Sequence, residues 1–271
     1  MTNFKDFHSR FGFHSTPFTR EISIKDSFKM EPHAIAIHHL LRVVDMKMSA
    51  AIIAPAGTGK TVLLRTLVDQ LSEVRYRVHY VKVTDLCMRD FCQEIATAID
   101  IEPTGNYPAL VRRLQDRFTQ ALDIDGVRPV LILDEAHDIR PNVLGILRIL
   151  TNFDMDSRLV VSVILAGQAP LSKLLRHVKM GDVASRLSHV ASLRLLSPRE
   201  TKDYVTHRCR IAGATTAPFD TSAMSAIHEI ARGNLRAIDY LALKALELAH
   251  DADCSSLDQN HIAQARTMLC P

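Results

Sequence analysis

The stretch Ala54-Pro55-Ala56-Gly57-Thr58-Gly59-Lys60-Thr61 constrains this chain more than any other. A short apolar run, Ala50 to Ile53, leads into it, and Val62, Leu63, Leu64, Leu67 and Val68 follow with helical spacing. Apolar strand, glycine-rich turn and then helix is the setting of a phosphate-binding P-loop. The residue types follow from the chemistry. Gly57 and Gly59 let backbone N–H groups curl around a phosphate where a side chain would block the approach. Lys60 can reach β- and γ-phosphates, and the Thr61 hydroxyl can ligate Mg²⁺. The start of the helix adds its positive end. The nucleotide-binding stretch is therefore expected to run from Ala54 to Val62. The full pattern opens on glycine, and Ala54 stands there instead. So small a side chain is expected to be tolerated unless that position needs a positive φ.

A second motif supports the first. Val130-Leu131-Ile132-Leu133-Asp134-Glu135-Ala136-His137 begins with four consecutive apolar residues, the mark of a strand buried on both faces of a parallel sheet. Two carboxylates at its end fall where α/β sheets hold ligands. Asp134 is the expected Mg²⁺ residue, directly or through water, and Glu135 the group that orients and deprotonates an attacking water. ATP and Mg²⁺ are the implied ligands, and hydrolysis the implied reaction.

With 271 residues, 47% hydrophobic and 23% charged, the chain has material for one large domain or two modest ones. A net charge of +3 permits nucleic-acid binding without demanding it. The five cysteines, Cys87, Cys92, Cys209, Cys254 and Cys270, show no paired spacing. They suggest neither a zinc site nor a disulfide framework, and fit free thiols in the cytoplasm. The 13 histidines include His38–His39 but no H-E-x-x-H. No apolar run approaches the roughly 20 residues of a membrane span, and no signal peptide is visible, so membrane insertion is not expected.

Residues 1–32 carry Phe4, Phe7, Phe11, Phe13, Phe18 and Phe28. They read as an irregular segment packed on the core near the nucleotide, extended at Thr16–Phe18, with Phe18 and Ile22 candidates to wall an adenine. Residues 33–196 alternate helices with strands: a helix at Pro32–Val44, strands at Val78–Val83 and Leu159–Ala166, helices at Asp85–Ile99, Tyr107–Leu122 and, in two pieces, Ala169–Leu187, and a last strand at Val190–Leu195. This pattern gives a parallel α/β sheet. Residues 197–271 lose the strand signal. Ser197-Pro198-Arg199-Glu200 opens the first of four expected helices, Arg199–Ile211, Thr221–Ala231, Leu235–Ala252 and Leu257–Leu269.

Taken together, this resembles the AAA+ ATPase superfamily: a P-loop parallel sheet core with a small C-terminal all-helical lid domain. The resemblance implies nucleotide bound between the two parts and between neighbouring subunits. It further implies roles for single residues. Gln168, after the strand beside the acidic one, matches the sensor-1 position that orients the lytic water. Arg186, before the final strand, matches an arginine finger acting in trans, with Arg176 as competitor. Arg236 in Gly233-Asn234-Leu235-Arg236 matches sensor 2. Phe11-Gly12-Phe13 with Pro17-Phe18, Leu165-Ala166-Gly167-Gln168-Ala169-Pro170-Leu171, and Arg199-Glu200-Thr201 with Tyr204, His207-Arg208 and Ala212-Gly213 resemble the ExeA-type ATPases. One branch of that group serves type II secretion and carries a membrane span. The other serves DNA transposition as target-selection and transposase-activating ATPases akin to the B protein of phage Mu. A chain stopping after the lid favours the second.

The expected protein is then an ATP-switched oligomer, ring or helical filament. It would grip duplex DNA through phosphates and work with a transposase or integrase. Arg89, Arg112 and Arg113 are the candidate DNA contacts. An ATPase assisting secretion, or a signalling NTPase, is the alternative. Asp134-Glu135-Ala136-His137 also spells motif II of DEAH helicases, but those need two tandem RecA-like cores, and no arginine-rich motif VI is present.

Overall fold

A computed structural model describes residues 4–268. Cys270 and the Leu269 end of the last expected helix lie outside the described residues. The chain divides into two compact units. The larger comprises Glu31–Pro55 and Leu63–Leu193; the smaller comprises the described parts of Met1–Met30 and Arg194–Pro271, together with Ala56–Val62.

The larger unit is built on a five-stranded parallel sheet. Its strands are β1 (Ser49–Ile53), β2 (Tyr76–Lys82), β3 (Arg128–Asp134), β4 (Ser162–Gly167) and β5 (Leu187–Ser192), in the order β2-β3-β4-β1-β5. The continuous apolar runs become the central strands. Every residue of β4 is buried, and so is every residue of β3 after Arg128. Side chains alternate across a strand, so one strand feeds two cores. Val130 and Ile132 join Leu40, Leu63, Leu67 and Ile164 on one face. Leu131 and Leu133 join Phe91, Ile95, Leu114, Phe118 and Leu165 on the other. Burying each such side chain stabilises by about 1.5–3 kcal/mol. The helices Glu31–Asp45 and Lys60–Gln70 cover the first face, and Met88–Ala98 and Tyr107–Asp123 the second.

Some boundaries differ from expectation for local reasons. The helix expected from Asp85 starts at Met88, because Asp85 pairs with Arg140 at 2.5 Å instead. The last strand lies earlier, at Leu187–Ser192, where pairing with β1 rather than hydrophobicity fixes it. The register sets Lys82 beside Asp134 and Ile53 beside Gly167. The C-terminal ends of β1, β3 and β4 thus share one edge of the sheet, as parallel strands must.

The smaller unit is helical. Pro198–Ile211, Thr221–Ala231, Leu235–Asp251 and Gln259–Thr267 surround a core of Val205, Ile227, Ile238, Leu241, Leu246 and Ile262. Each helix starts on a side-chain cap, from Ser197, Asp220, Asn234 and Asp258 in turn. The Ser197 cap is a full capping box with Glu200. The N-terminal segment is not irregular throughout: Phe4–Phe11 is a helix. Phe7, Phe11 and Phe13 enter the same core, with Phe7 edge-on to Phe11 at 5.5 Å. Nor is Phe18 extended. It sits in a turn at φ 61°, because its ring is buried edge-on to Phe219 at 6.1 Å.

Candidate nucleotide site

Within the smaller unit, the glycine-rich loop is held by a helix cap. Gly57 and Gly59 adopt φ 75° and 84°, a region that side chains disfavour. Gly57 is also too close to a neighbour for any side chain: a Cβ there would lie 2.1 Å from Asn234 Oδ1. Asn234 Nδ2 donates to the Ala56 carbonyl at 2.8 Å, and the Leu235 N–H donates to the Gly57 carbonyl at 2.8 Å. Asn234 Oδ1 meanwhile accepts from the Ala237 N–H at 3.2 Å, capping its own helix. One asparagine therefore starts a helix and clasps the loop, a second task that sequence reasoning missed because the first already explains the residue. Arg236 is exposed on the first turn of that helix. Thr58 is buried, and Lys60 and Thr61 open the helix Lys60–Gln70.

Ala54 belongs to the larger unit. It is fully buried, its N–H donates to the Gly167 carbonyl at 2.9 Å, and it is not among the residues with positive φ. The missing glycine of the motif therefore imposes no backbone strain. Pro55 follows it.

Within the larger unit the acidic motif ends β3. Asp134 is only 4% exposed. Its Oδ2 accepts from the Tyr80 hydroxyl at 3.0 Å and its Oδ1 from the Glu135 N–H at 2.8 Å. Burial and the neighbouring Asp134 charge push the Tyr80 phenol up to about 12, so it stays a donor. Tyr80 escaped sequence reasoning because its partner is fixed by strand register. Glu135 takes a left-handed backbone, φ 56°, where non-glycine residues are uncommon and strained. Ala136–His137–Asp138 then form one 3₁₀ turn. Gln168 follows β4, and its amide nitrogen lies 3.0 Å from His137 Nε2. The larger unit thus brings Asp134, Glu135 and Gln168 to one sheet edge, with Tyr80 and His137 among them.

The other candidates stand as follows. Arg186 lies just before β5 and forms a two-pronged ion pair with Asp156, at 2.5 and 2.9 Å. Arg176 ends the helix Ala169–Leu175 and is exposed. Arg89 and Arg112 are exposed on their helices. Arg113 donates to the Thr104 carbonyl at 2.9 Å and to the Glu102 carbonyl, which ties down the loop before its helix. Phe18 and Ile22 line a cavity of about 330 Å³ in the smaller unit, with Arg208 on its wall. The Arg208 guanidinium lies 5.7 Å from the Phe18 ring and donates to the Thr19 carbonyl at 2.7 Å.

Among the described residues no group of three or more His, Cys, Asp or Glu can hold a metal. A divalent ion at Asp134 would take most of its ligands from phosphate and water, as Mg²⁺ ordinarily does. Among those residues no helix is long and apolar enough to cross a membrane.

Residues 44–175 match the family model described as an AAA domain. General secretion pathway protein A of Aeromonas hydrophila is 28% identical over 239 residues, 87% of this chain and 43% of that protein. The chain thus spans less than half the length of that relative. Cdc6p from Pyrobaculum aerophilum superposes with a TM-score of 0.71 at 15% identity, covering 92% of this chain and 69% of that one. The Aeropyrum pernix ORC1 protein, solved in complex with DNA, gives 0.70 at 18% identity, covering 94% and 69%. The Thermotoga maritima RuvB Holliday junction branch migration motor gives 0.62 at 17% identity, covering 93% and 73%. At these identities the structures establish the fold. The chain has the P-loop AAA+ fold, its residues 44–175 match an AAA domain, and these likenesses support an AAA+ ATPase.

Proposed function

We propose that the chain is an ATP-switched AAA+ ATPase that self-associates on duplex DNA and acts as a target-selecting, transposase-activating regulator. The observation that carries the hydrolytic part is the grouping of Asp134, Glu135 and Gln168 at one sheet edge. In this reading Lys60 and the loop Ala54–Val62 hold the triphosphate, with Phe18 and Ile22 against the base. Mg²⁺, when bound by Thr61 and Asp134, would neutralise charge on the β- and γ-phosphates. Glu135 takes the proton of the attacking water, and Gln168 orients that water. Arg236 reaches the γ-phosphate in its own subunit. Arg186 reaches that of a neighbour, exchanging Asp156 for phosphate as subunits join in a ring or helical filament. DNA contact through Arg89, Arg112 and Arg113 would be sequence-tolerant and salt-sensitive. Many copies in register would amplify a modest charge.

The similarity to General secretion pathway protein A favours a second reading, an ATPase serving protein secretion. ATPase assays with and without duplex DNA separate the two. Stimulation by DNA of unrelated sequences, with ATP-dependent co-sedimentation, is the expected result. Turnover and assembly indifferent to DNA would overturn the DNA reading and leave the ATPase intact.

A further inference from the structure

His137 takes no part in the chemistry assigned above, yet its ring sits between two side chains that do. Its side chain is 13% exposed. Nε2 lies 3.0 Å from the Gln168 amide nitrogen, and Nδ1 lies 3.4 Å from Glu135 Oε2. The Gln168 backbone N–H also points at Nδ1, at 3.5 Å. Asp138 Oδ1 stands 3.7 Å from Nε2. The backbone enforces this position. Ala136 is fully buried and anchors the 3₁₀ turn, and Gly167 packs so close that a Cβ on it would lie 3.1 Å from the His137 backbone nitrogen.

We infer that His137 is a positioning residue for ATP hydrolysis, holding the water-orienting Gln168 in place beside the base Glu135. A neutral imidazole offers one donor and one acceptor. With Nδ1 accepting from the Gln168 backbone N–H, Nε2–H faces the Gln168 side-chain amide and donates to its oxygen. Tautomer and amide orientation are assigned from the network. Backbone and side chain of Gln168 are then held by one rigid ring, and the Gln168 NH₂ group is fixed as the donor to water beside Glu135. The assignment rests on the hydrolytic reading of Glu135 and Gln168.

The test is steady-state ATPase kinetics, with nucleotide affinity measured separately, on H137A, H137Q, H137N, Q168A and the double variant H137A/Q168A. H137A is expected to lower kcat by about ten- to a hundredfold, the loss typical of a misplaced catalytic group, at unchanged ATP affinity and thermal midpoint. Gln reaches the place of Nε2 and can donate to Gln168, so H137Q should retain more activity than H137N, which reaches only the place of Nδ1. The double variant should fall no further than Q168A alone, since a ring that acts through Gln168 has nothing left to position. Wild-type kcat in H137A, multiplied losses in the double variant, or no advantage of Gln over Asn would overturn the proposal. E135Q is the separate control: turnover surviving that change would sink the hydrolytic reading itself.

Discussion

The acidic end of β3 and the glycine-rich loop are stiffened by different means. Asp134 is the last residue of a central strand, paired with Lys82 in the β2 register and buried with the core behind it. Its place is set by the apolar cores on both faces of the strand. The loop Ala56–Gly59 lies outside the sheet, and a single asparagine and one backbone amide at a helix start hold its carbonyls. The first arrangement is insensitive to any one polar change. The second depends on individual hydrogen bonds, each worth about 0.5–1.5 kcal/mol. The contrast predicts that substitutions near β3 divide cleanly into chemical and packing effects, whereas those at the loop mix binding with stability.

The largest effect is expected at the acidic end. Glu135→Gln removes the proposed base without changing shape, so turnover should fall by about 10²–10⁴-fold while labelled ATP still binds in filter or fluorescence assays. A hydrolysing variant would break the chemical half of the comparison. Next is the core behind it. Leu131→Ala opens a cavity and should cost about 2–5 kcal/mol, read from urea or thermal unfolding, with no selective loss of ATP affinity in the folded fraction.

At the loop the expected loss is smaller and more telling. Asn234→Ala removes cap and clasp together, costing about 0.5–2 kcal/mol for the cap and weakening ATP binding. Asn234→Asp keeps the acceptor for the Ala237 N–H but sets an oxygen against the Ala56 carbonyl. It should therefore keep the cap's share of stability, losing less in thermal midpoint than Asn234→Ala, and still weaken ATP binding. Equal losses in both variants would mean that the clasp is only a cap. The smallest effect concerns Glu200, whose carboxyl the Arg194 guanidinium holds down at about 2. Its contribution is present above the ordinary carboxylate range and disappears as pH falls from about 4.5 toward 2. Solvent around Arg194 limits it to about 1 kcal/mol or less. Arg194→Ala should flatten the acid limb of the stability curve by that amount.

Much of this was legible in the residues. Runs such as Val130–Leu133 and Leu159–Ala166 announce central strands because two-sided burial calls for nearly continuous apolarity, and the glycines and carboxylates follow them directly. Phe4–Phe11 was not seen as a helix although Phe4, Phe7 and Phe11 fall three and four apart, because the aromatics nearby blurred the period. Tyr80, His137 and the second task of Asn234 were illegible for a different reason. Their partners are set by strand register, by a tight turn against Gly167 and by a loop 178 residues away. The Arg186–Asp156 pair, 30 residues apart, is likewise a product of folding alone.

The left-handed backbone at Glu135 has a consequence for any search through sequence space. An L-residue there carries a standing penalty of about 1–2 kcal/mol that glycine would escape and asparagine would reduce. A library screened only for heat resistance should therefore drift toward Gly or Asn at position 135, and one screened for turnover should resist that drift.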